Sequence, residues 1–341
     1  MMQQTGRQIV LAARPTGIPK STDFREEEVA VPEPGDGEVL LATNYLSLDP
    51  YMRGRMDDRK SYSTPTPIGG VMEGDVVAEV IRSRHPDYRI GDKVLARLGW
   101  RTHAVSNGAG LTKLDSRFSP VTTALGVLGM PGLTAYTGLL TIGKPRANET
   151  VVVAAASGPV GSLVGQIAKI KGARAVGIAG GTQKCAFVRN ELGFDAVIDH
   201  RSPRFAEELA AACPNGIDVY FELVGGRVWH AVMPLLNEFA RVPVCGLIAQ
   251  YNSSGQPDGP DRLPATMREV LSRSLTLRGF IVREFWDQRP TFLGEVSTWM
   301  SEGRVRFRED IVKGLANAPE AFIGMLEGTN FGKLVVEIDE G

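Results

Sequence analysis

Paired cysteines are missing from this chain. It has three, Cys185, Cys213 and Cys245, widely spaced and without a Cys-x-x-Cys pair. That excludes a disulfide scaffold, speaks against a zinc site built on paired cysteines, and suits a reduced, cytoplasmic protein. An excess of charge of one sign is missing too. Lys and Arg number 38 against 39 Asp and Glu, a net charge of −1. Nucleic acid and anionic membrane therefore have no electrostatic claim as main partners. No apolar run reaches the roughly 18 residues needed to span a bilayer. Met1 to Lys20 lack the continuous apolar segment of a secretory signal. The four histidines, His85, His103, His200 and His230, form no His-x-x-x-His or Cys-His set, so no metal site is expected.

What is present is the composition of a globular protein, 43% hydrophobic and 23% charged over 341 residues. That length is generous for one core and predicts two domains. Residues from about 7 to 130 carry short β-branched runs such as Glu38–Thr43, Gly74–Ile81 and Asp92–Ala96. Gly and Pro turns punctuate them, which predicts a mostly antiparallel β domain. From about 131, apolar strands alternate with helical segments, the pattern of βαβ units on a parallel sheet. Predicted strands are Thr150–Ala155, Ala173–Ile178, Ala196–Ile198, Val219–Glu222 and Arg241–Cys245. Predicted helices are Val160–Lys171, Lys184–Leu192, Arg204–Ala212, Trp229–Leu236, Phe292–Ser301 and Asn317–Leu326. The last strand, Gly332–Ile338, is best placed back in the first domain.

The chemistry starts at Ala156-x-Gly158-x-x-Gly161, between the first of these strands and its helix. Gly158 would let the backbone approach a pyrophosphate, and Gly161 would let helix and strand pack closely. A ligand-free turn explains the glycines as well; the surrounding βαβ unit favours a dinucleotide. The next strand ends in Gly180-Gly181-Thr182, without the carboxylate that binds the ribose of NAD. Lys184 follows and would attract a 2′-phosphate, so NADP is the expected cofactor. A solvated lysine on a helix is the alternative.

Several separate segments resemble one family. They are Tyr45–Arg53, Met130–Tyr136, Ala154–Lys171, Leu192–Asp195, Tyr220–Gly226, Cys245–Asn252 and Asn330–Lys333. In this order they resemble the zinc-free medium-chain dehydrogenase/reductases, in the branch of prostaglandin reductases and bacterial curcumin reductases. Asp199-His200 resembles the curcumin reductase end. The resemblance implies an α/β fold: a Rossmann doubly wound parallel sheet over 131–305 and a partly open, GroES-like β-barrel catalytic domain from 1–130 and 306–341. It implies NADPH, an interdomain cleft and a homodimer. It also implies that Gly158, Pro159, Val160 and Gly161 hold the pyrophosphate and Lys184 the 2′-phosphate. His200 would lie at the adenosine end. Cys245, Gly246, Leu247 and the residues to Tyr251 would pass under the nucleotide. Phe280, Ile281 and Val282 would approach the nicotinamide edge, Met130 and Thr134 would flank it, and Asn330 would reach the cofactor from the C-terminal segment. Leu223 departs from the family, which usually carries Asn there, and a side-chain bond to the cofactor is lost with it.

Without a Lewis acid, a plain alcohol is hard to activate, whereas a conjugated enone is easier. Hydride adds to the β-carbon, and a donor aimed at the carbonyl oxygen stabilises the enolate. Tyr251 is the expected chief donor and Tyr51 the second; either ring could instead be packing. The expected activity is NADPH-dependent reduction of the C=C bond of unsaturated ketones or aldehydes. A quinone or alcohol oxidoreductase, or a non-enzymatic nucleotide binder, are the alternatives. The polar loop Asn252–Pro260 is a candidate lid, with a passive surface loop as the alternative. Arg53–Pro67 is a second mobile segment whose Arg53 and Arg55 read as surface arginines, an acidic substrate tail being the more specific alternative.

Overall fold

The computed structural model describes residues 4–253 and 260–338. The chain divides into two compact units, Met1–Gly126 with Glu309–Gly341, and Val127–Arg308.

The second unit is a six-stranded parallel sheet. Its strands are β1 (Thr150–Val153), β2 (Arg174–Ala179), β3 (Ala196–Asp199), β4 (Ile217–Phe221), β5 (Leu236–Val244) and β6 (Thr276–Gly279). Their spatial order is 3-2-1-4-5-6, the doubly wound Rossmann order. Helices α1 (Pro159–Ile170), α2 (Thr182–Asn190), α3 (Phe205–Ala212) and α4 (Gly226–Val232) follow the first four strands. All four β1 residues are buried, as are five of the six in β2. Helices on both faces bury such strands on both sides, which is why they read as unbroken apolar runs. β6 is different: it closes the sheet edge with four exposed residues.

Small residues let α1 approach the sheet. A Cβ on Gly161 would overlap the Ala155 carbonyl, and one on Gly165 would overlap the Phe194 ring. The turn before α1 bends through Ala155, in the left-handed region at φ 48°.

In the first unit, Thr5–Leu11 and Phe24–Ala30 form a hairpin beside a seven-stranded sheet. The strand Val39–Ser47 is its hub. Residues 39–42 pair with His103–Ser106, while 45–47 pair with 335–337 of the C-terminal strand, and Val76–Ser83 lies along the other edge. Its pairing with Val76–Ser83 is irregular at Leu40/Leu41 and Thr43/Tyr45, and along its opposite edge it changes partner from His103–Ser106 to the C-terminal strand. Trp100 fills this core, stacked on Phe24 at 5.7 Å and edge-on to Phe322.

Several elements escaped the sequence pattern. The helix expected over 229–236 ends at Val232, and β5 begins at Leu236, ahead of the expected Arg241. Met130–Thr137, Leu263–Ser272 and β6 were not anticipated. Met130–Thr137 is buried almost all round, so it shows no amphipathic period. The expected mobile segment after Arg53 begins as a helix, Tyr51–Arg55, whose arginines are buried. Arg53 is 2% exposed, paired with Asp57 and bonded to the Gly17 carbonyl. Arg55 is 3% exposed, lies over the Tyr51 and Tyr62 rings, and faces Glu73. Neither is a surface arginine waiting for an acidic ligand. Residues 254–259 of the expected lid lie outside the described residues.

Candidate active site

Within the second unit, several of the predicted cofactor residues lie just past the C-terminal ends of successive strands: Gly158 after β1, Lys184 after β2, His200 after β3, Leu223 after β4 and Cys245 after β5. Gly158 is the N-cap of α1, extended at ψ 172°, and no side chain caps the helix. Pro159 stands at the first helical position and needs no donor, so the N–H groups of Val160 and Gly161 face the turn unpaired within the helix. A bare, glycine-lined helix N-terminus after a buried strand is a ready phosphate cradle.

Beside it, β4 is followed directly by Glu222, which the sequence reading had not singled out. Its carboxylate accepts the N–H groups of Val224 and Gly225 at 2.7 and 2.8 Å and the Tyr220 hydroxyl at 3.0 Å. Its own carbonyl accepts the N–H groups of Cys245 and Gly246. Burial pushes this carboxyl up, and the bonds it accepts oppose the shift. Glu222 thus ties the loop after β4 to the loop after β5. The signal was its position, a lone acid just past a buried strand where no surface role is available.

Leu223 contributes backbone: its carbonyl accepts the Ile248 N–H at 3.2 Å. A Cβ on Gly246 would stand 3.2 Å from the Tyr251 hydroxyl and 3.4 Å from the Leu223 carbonyl. The Tyr251 hydroxyl therefore sits over the bare face of Gly246, and Leu223, Cys245, Gly246, Leu247 and Tyr251 form one cluster. The Cys245 thiol is pushed up to about 12 by burial, so it stays neutral and is no nucleophile.

Other predicted residues have side chains already engaged. The Thr134 hydroxyl donates to the Met130 carbonyl at 2.8 Å. The Phe280 ring packs edge-on against Phe221 and Phe285, its N–H donates to the Val244 carbonyl, and the N–H of Ile281, just before Val282, donates to the Glu284 carboxylate at 2.7 Å. At the far end of the cluster, His200 follows β3, its N–H donating to the Ala179 carbonyl, and Lys184 lies in the first turns of α2.

Two predicted residues belong to the first unit. Asn330 donates to the Gly332 carbonyl at 3.0 Å and shapes its own turn. Tyr51 opens the helix Tyr51–Arg55. Burial, then the charges of Asp75 and Asp49, hold its phenol well above the usual range, so it keeps its proton, as a donor must. Nearby, Lys333 is 2% exposed and pairs with Asp49 at 3.0 Å. His103 is half-buried, its ring nitrogen 2.9 Å from the Thr102 hydroxyl. Among the described residues, no group of three or more His, Cys, Asp or Glu could hold a metal ion, nor is any helix long and apolar enough to cross a membrane.

Comparison with known proteins agrees with this architecture. Residues 7–114 match the family model for the N-terminal domain of oxidoreductases, and residues 159–298 match the model named zinc-binding dehydrogenase. The chain is 53% identical to the NADPH-dependent curcumin reductase of Escherichia coli K12, covering 98% of each chain. It is 40% identical to rat prostaglandin reductase 1, covering 94% of this chain and 95% of the other. The crystal structure of CurA from Vibrio vulnificus in complex with NADPH superposes with a TM-score of 0.95 at 51% identity, covering 98% of this chain and 100% of that one. This chain belongs to the zinc-free medium-chain dehydrogenase/reductases. Within that family it falls in the curcumin and prostaglandin reductase branch. The Rossmann sheet and the separate antiparallel domain are those expected of it.

Proposed function

We propose that this dehydrogenase/reductase uses NADPH to reduce the C=C bond of α,β-unsaturated ketones and aldehydes. The observation that carries the reading is the Tyr251 hydroxyl placed over Gly246, on the loops that Glu222 joins, in a chain 53% identical to an NADPH-dependent curcumin reductase. The uncapped α1 fits a pyrophosphate, and the acid-free end of β2 fits a 2′-phosphate. Bound NADPH supplies hydride to the substrate β-carbon.

The protein's part is to orient and to stabilise charge. The N–H groups of Val160 and Gly161 anchor the cofactor, while Gly158 and Pro159 shape the turn that presents them. Tyr251 donates to the substrate carbonyl oxygen as enolate charge collects there, and Tyr51 is the second donor. The α-carbon then takes a proton from solvent or a tyrosine. Lids aside, this needs no metal and no nucleophile. We further propose a cytoplasmic homodimer. The exposed edge strand β6 and the helix Leu263–Ser272 would form its interface, since Leu263, Met267 and Leu271 are 63%, 56% and 82% exposed four residues apart.

The test is NADPH oxidation with an enone, a quinone and a simple ketone in parallel. Turnover of the enone is expected. Turnover of the quinone or ketone without the enone refutes the assignment, and tight NADPH binding without turnover of any acceptor points to a nucleotide-binding relative. Light scattering of Leu271→Glu checks the dimer, which should fall to monomer.

A further inference from the structure

The sequence reading put Lys184 and His200 at the adenosine end of the cofactor site. The structure brings two further cations there, Arg201 and Arg227. Asp199, the last residue of β3, lies in register with Ala179, the last of β2. The chain after Asp199 therefore runs beside Gly180 and Gly181. A Cβ on Gly180 would stand 2.7 Å from His200 Nε2 and 3.2 Å from Arg201 Nε. One on Gly181, already left-handed at φ 86°, would stand 3.4 Å from Arg201 Nη1. The bare faces of the two glycines are thus the seat of the Arg201 guanidinium. A side chain at Gly180 would dislodge it.

Charge at this spot is lopsided. Lys184, Arg201 and Arg227 all act on His200, and with burial, the larger cause, they push the imidazole below its usual range. The carboxylate facing it is Asp199. That group accepts the backbone N–H groups of Arg201, at 2.9 Å, and Gly181. Arg227 is anchored: it donates to the Ser202 carbonyl at 2.9 Å and lies over the Phe205 ring. Among the described residues, the Arg201 guanidinium makes no hydrogen bond and no ion pair. A planar fork of donors, held over two glycines at the end of the second strand, matches a phosphate bidentately, which a lysine ammonium does not.

We propose that Arg201 is the residue that selects NADPH over NADH, clamping the 2′-phosphate, with Lys184 and Arg227 adding positive field. This rests on the NADPH reading given above. It explains why a glycine pair stands where NAD enzymes place an acid: the glycines make room for the arginine, and an acid would neutralise it.

The test is a fluorescence titration of NADPH and NADH against wild type, Arg201→Ala and Arg201→Lys, with thermal melts alongside. Arg201 is exposed, so the melts should coincide. Arg201→Ala should weaken NADPH by about 10- to 100-fold, the worth of a charge-assisted pair of bonds, and leave NADH within about twofold. Arg201→Lys should fall between, and the salt dependence of NADPH binding should flatten in Arg201→Ala, which loses the charge. If both cofactors weaken equally, Arg201 stacks on the adenine and the proposal fails. It fails also if the preference for NADPH survives in Arg201→Ala, and the NADPH reading then stands. A wild type that prefers NADH overturns the NADPH reading and this proposal together.

Discussion

Replacing Asp75 with asparagine should make this protein more stable, and more so as pH rises. Asp75 immediately precedes the strand Val76–Ser83, and its carbonyl accepts the Ser47 N–H at 2.9 Å. The cations around it are committed elsewhere. Lys333 pairs with Asp49, which also accepts the Ser47 hydroxyl, and Arg97 pairs with Glu73 at 2.7 Å. Burial, then the charge of Asp49, pushes the Asp75 carboxyl from 3.8 up to about 6. The folded protein thus binds a proton that the unfolded chain releases. The stability this brings is complete below the unfolded value of 3.8 and is lost as pH rises through about 6. Two pH units correspond to about 3 kcal/mol in all, an upper bound, of which about 1.4 kcal/mol falls between pH 5 and pH 8. Asparagine carries no charge to desolvate. Urea unfolding of both proteins at pH 5, 6, 7 and 8 should show the difference in stability moving in favour of Asp75→Asn by about 1 kcal/mol across the range. A difference that is flat with pH, or that moves toward wild type as pH rises, refutes the account.

The remaining expectations concern the site and the two cores. Tyr251→Phe should lower kcat by roughly 10²- to 10³-fold if the hydroxyl acts alone, with NADPH affinity unchanged; stopped-flow hydride transfer and a cofactor titration separate the two. Gly161→Ala should weaken NADPH and lower Tm together, because the new Cβ meets the Ala155 carbonyl and must push α1 off the sheet. Lys333→Met should destabilise by about 3–5 kcal/mol, read by urea unfolding. It strands Asp49, itself buried, without its partner, and pairing it with Asp49→Asn should recover a large part of the loss.

The Rossmann half was legible because its physics is local. Val151–Val153, the turn through Gly158 and Gly161, and α1 are neighbours in the chain, so one window of sequence holds strand, turn and helix. Strands buried on both faces carry continuous apolar runs that composition alone reveals. Met130–Thr137 was hidden for a related reason, since a helix buried on every side has no polar face to set its period. β6 has four exposed residues, so no apolar pattern marks it.

The site divides along the same line. The chain read alone named the glycine turn, the acid-free end of β2, Lys184 and the lack of a metal set, each a matter of residue type and spacing. It did not mark Arg201 or Glu222. The role proposed for Arg201 and the tie that Glu222 makes depend on which strand ends lie side by side: β3 beside β2 in one case, β4 beside β5 in the other. It likewise took Arg53 and Arg55 for surface residues, though their burial depends on Asp57 nearby and on Gly17, Tyr62 and Glu73 further along the chain. Local sequence sets propensity, periodicity and turn chemistry. Sheet order and register set which distant charges meet, and the energy of a buried charge depends on the partners that meeting supplies.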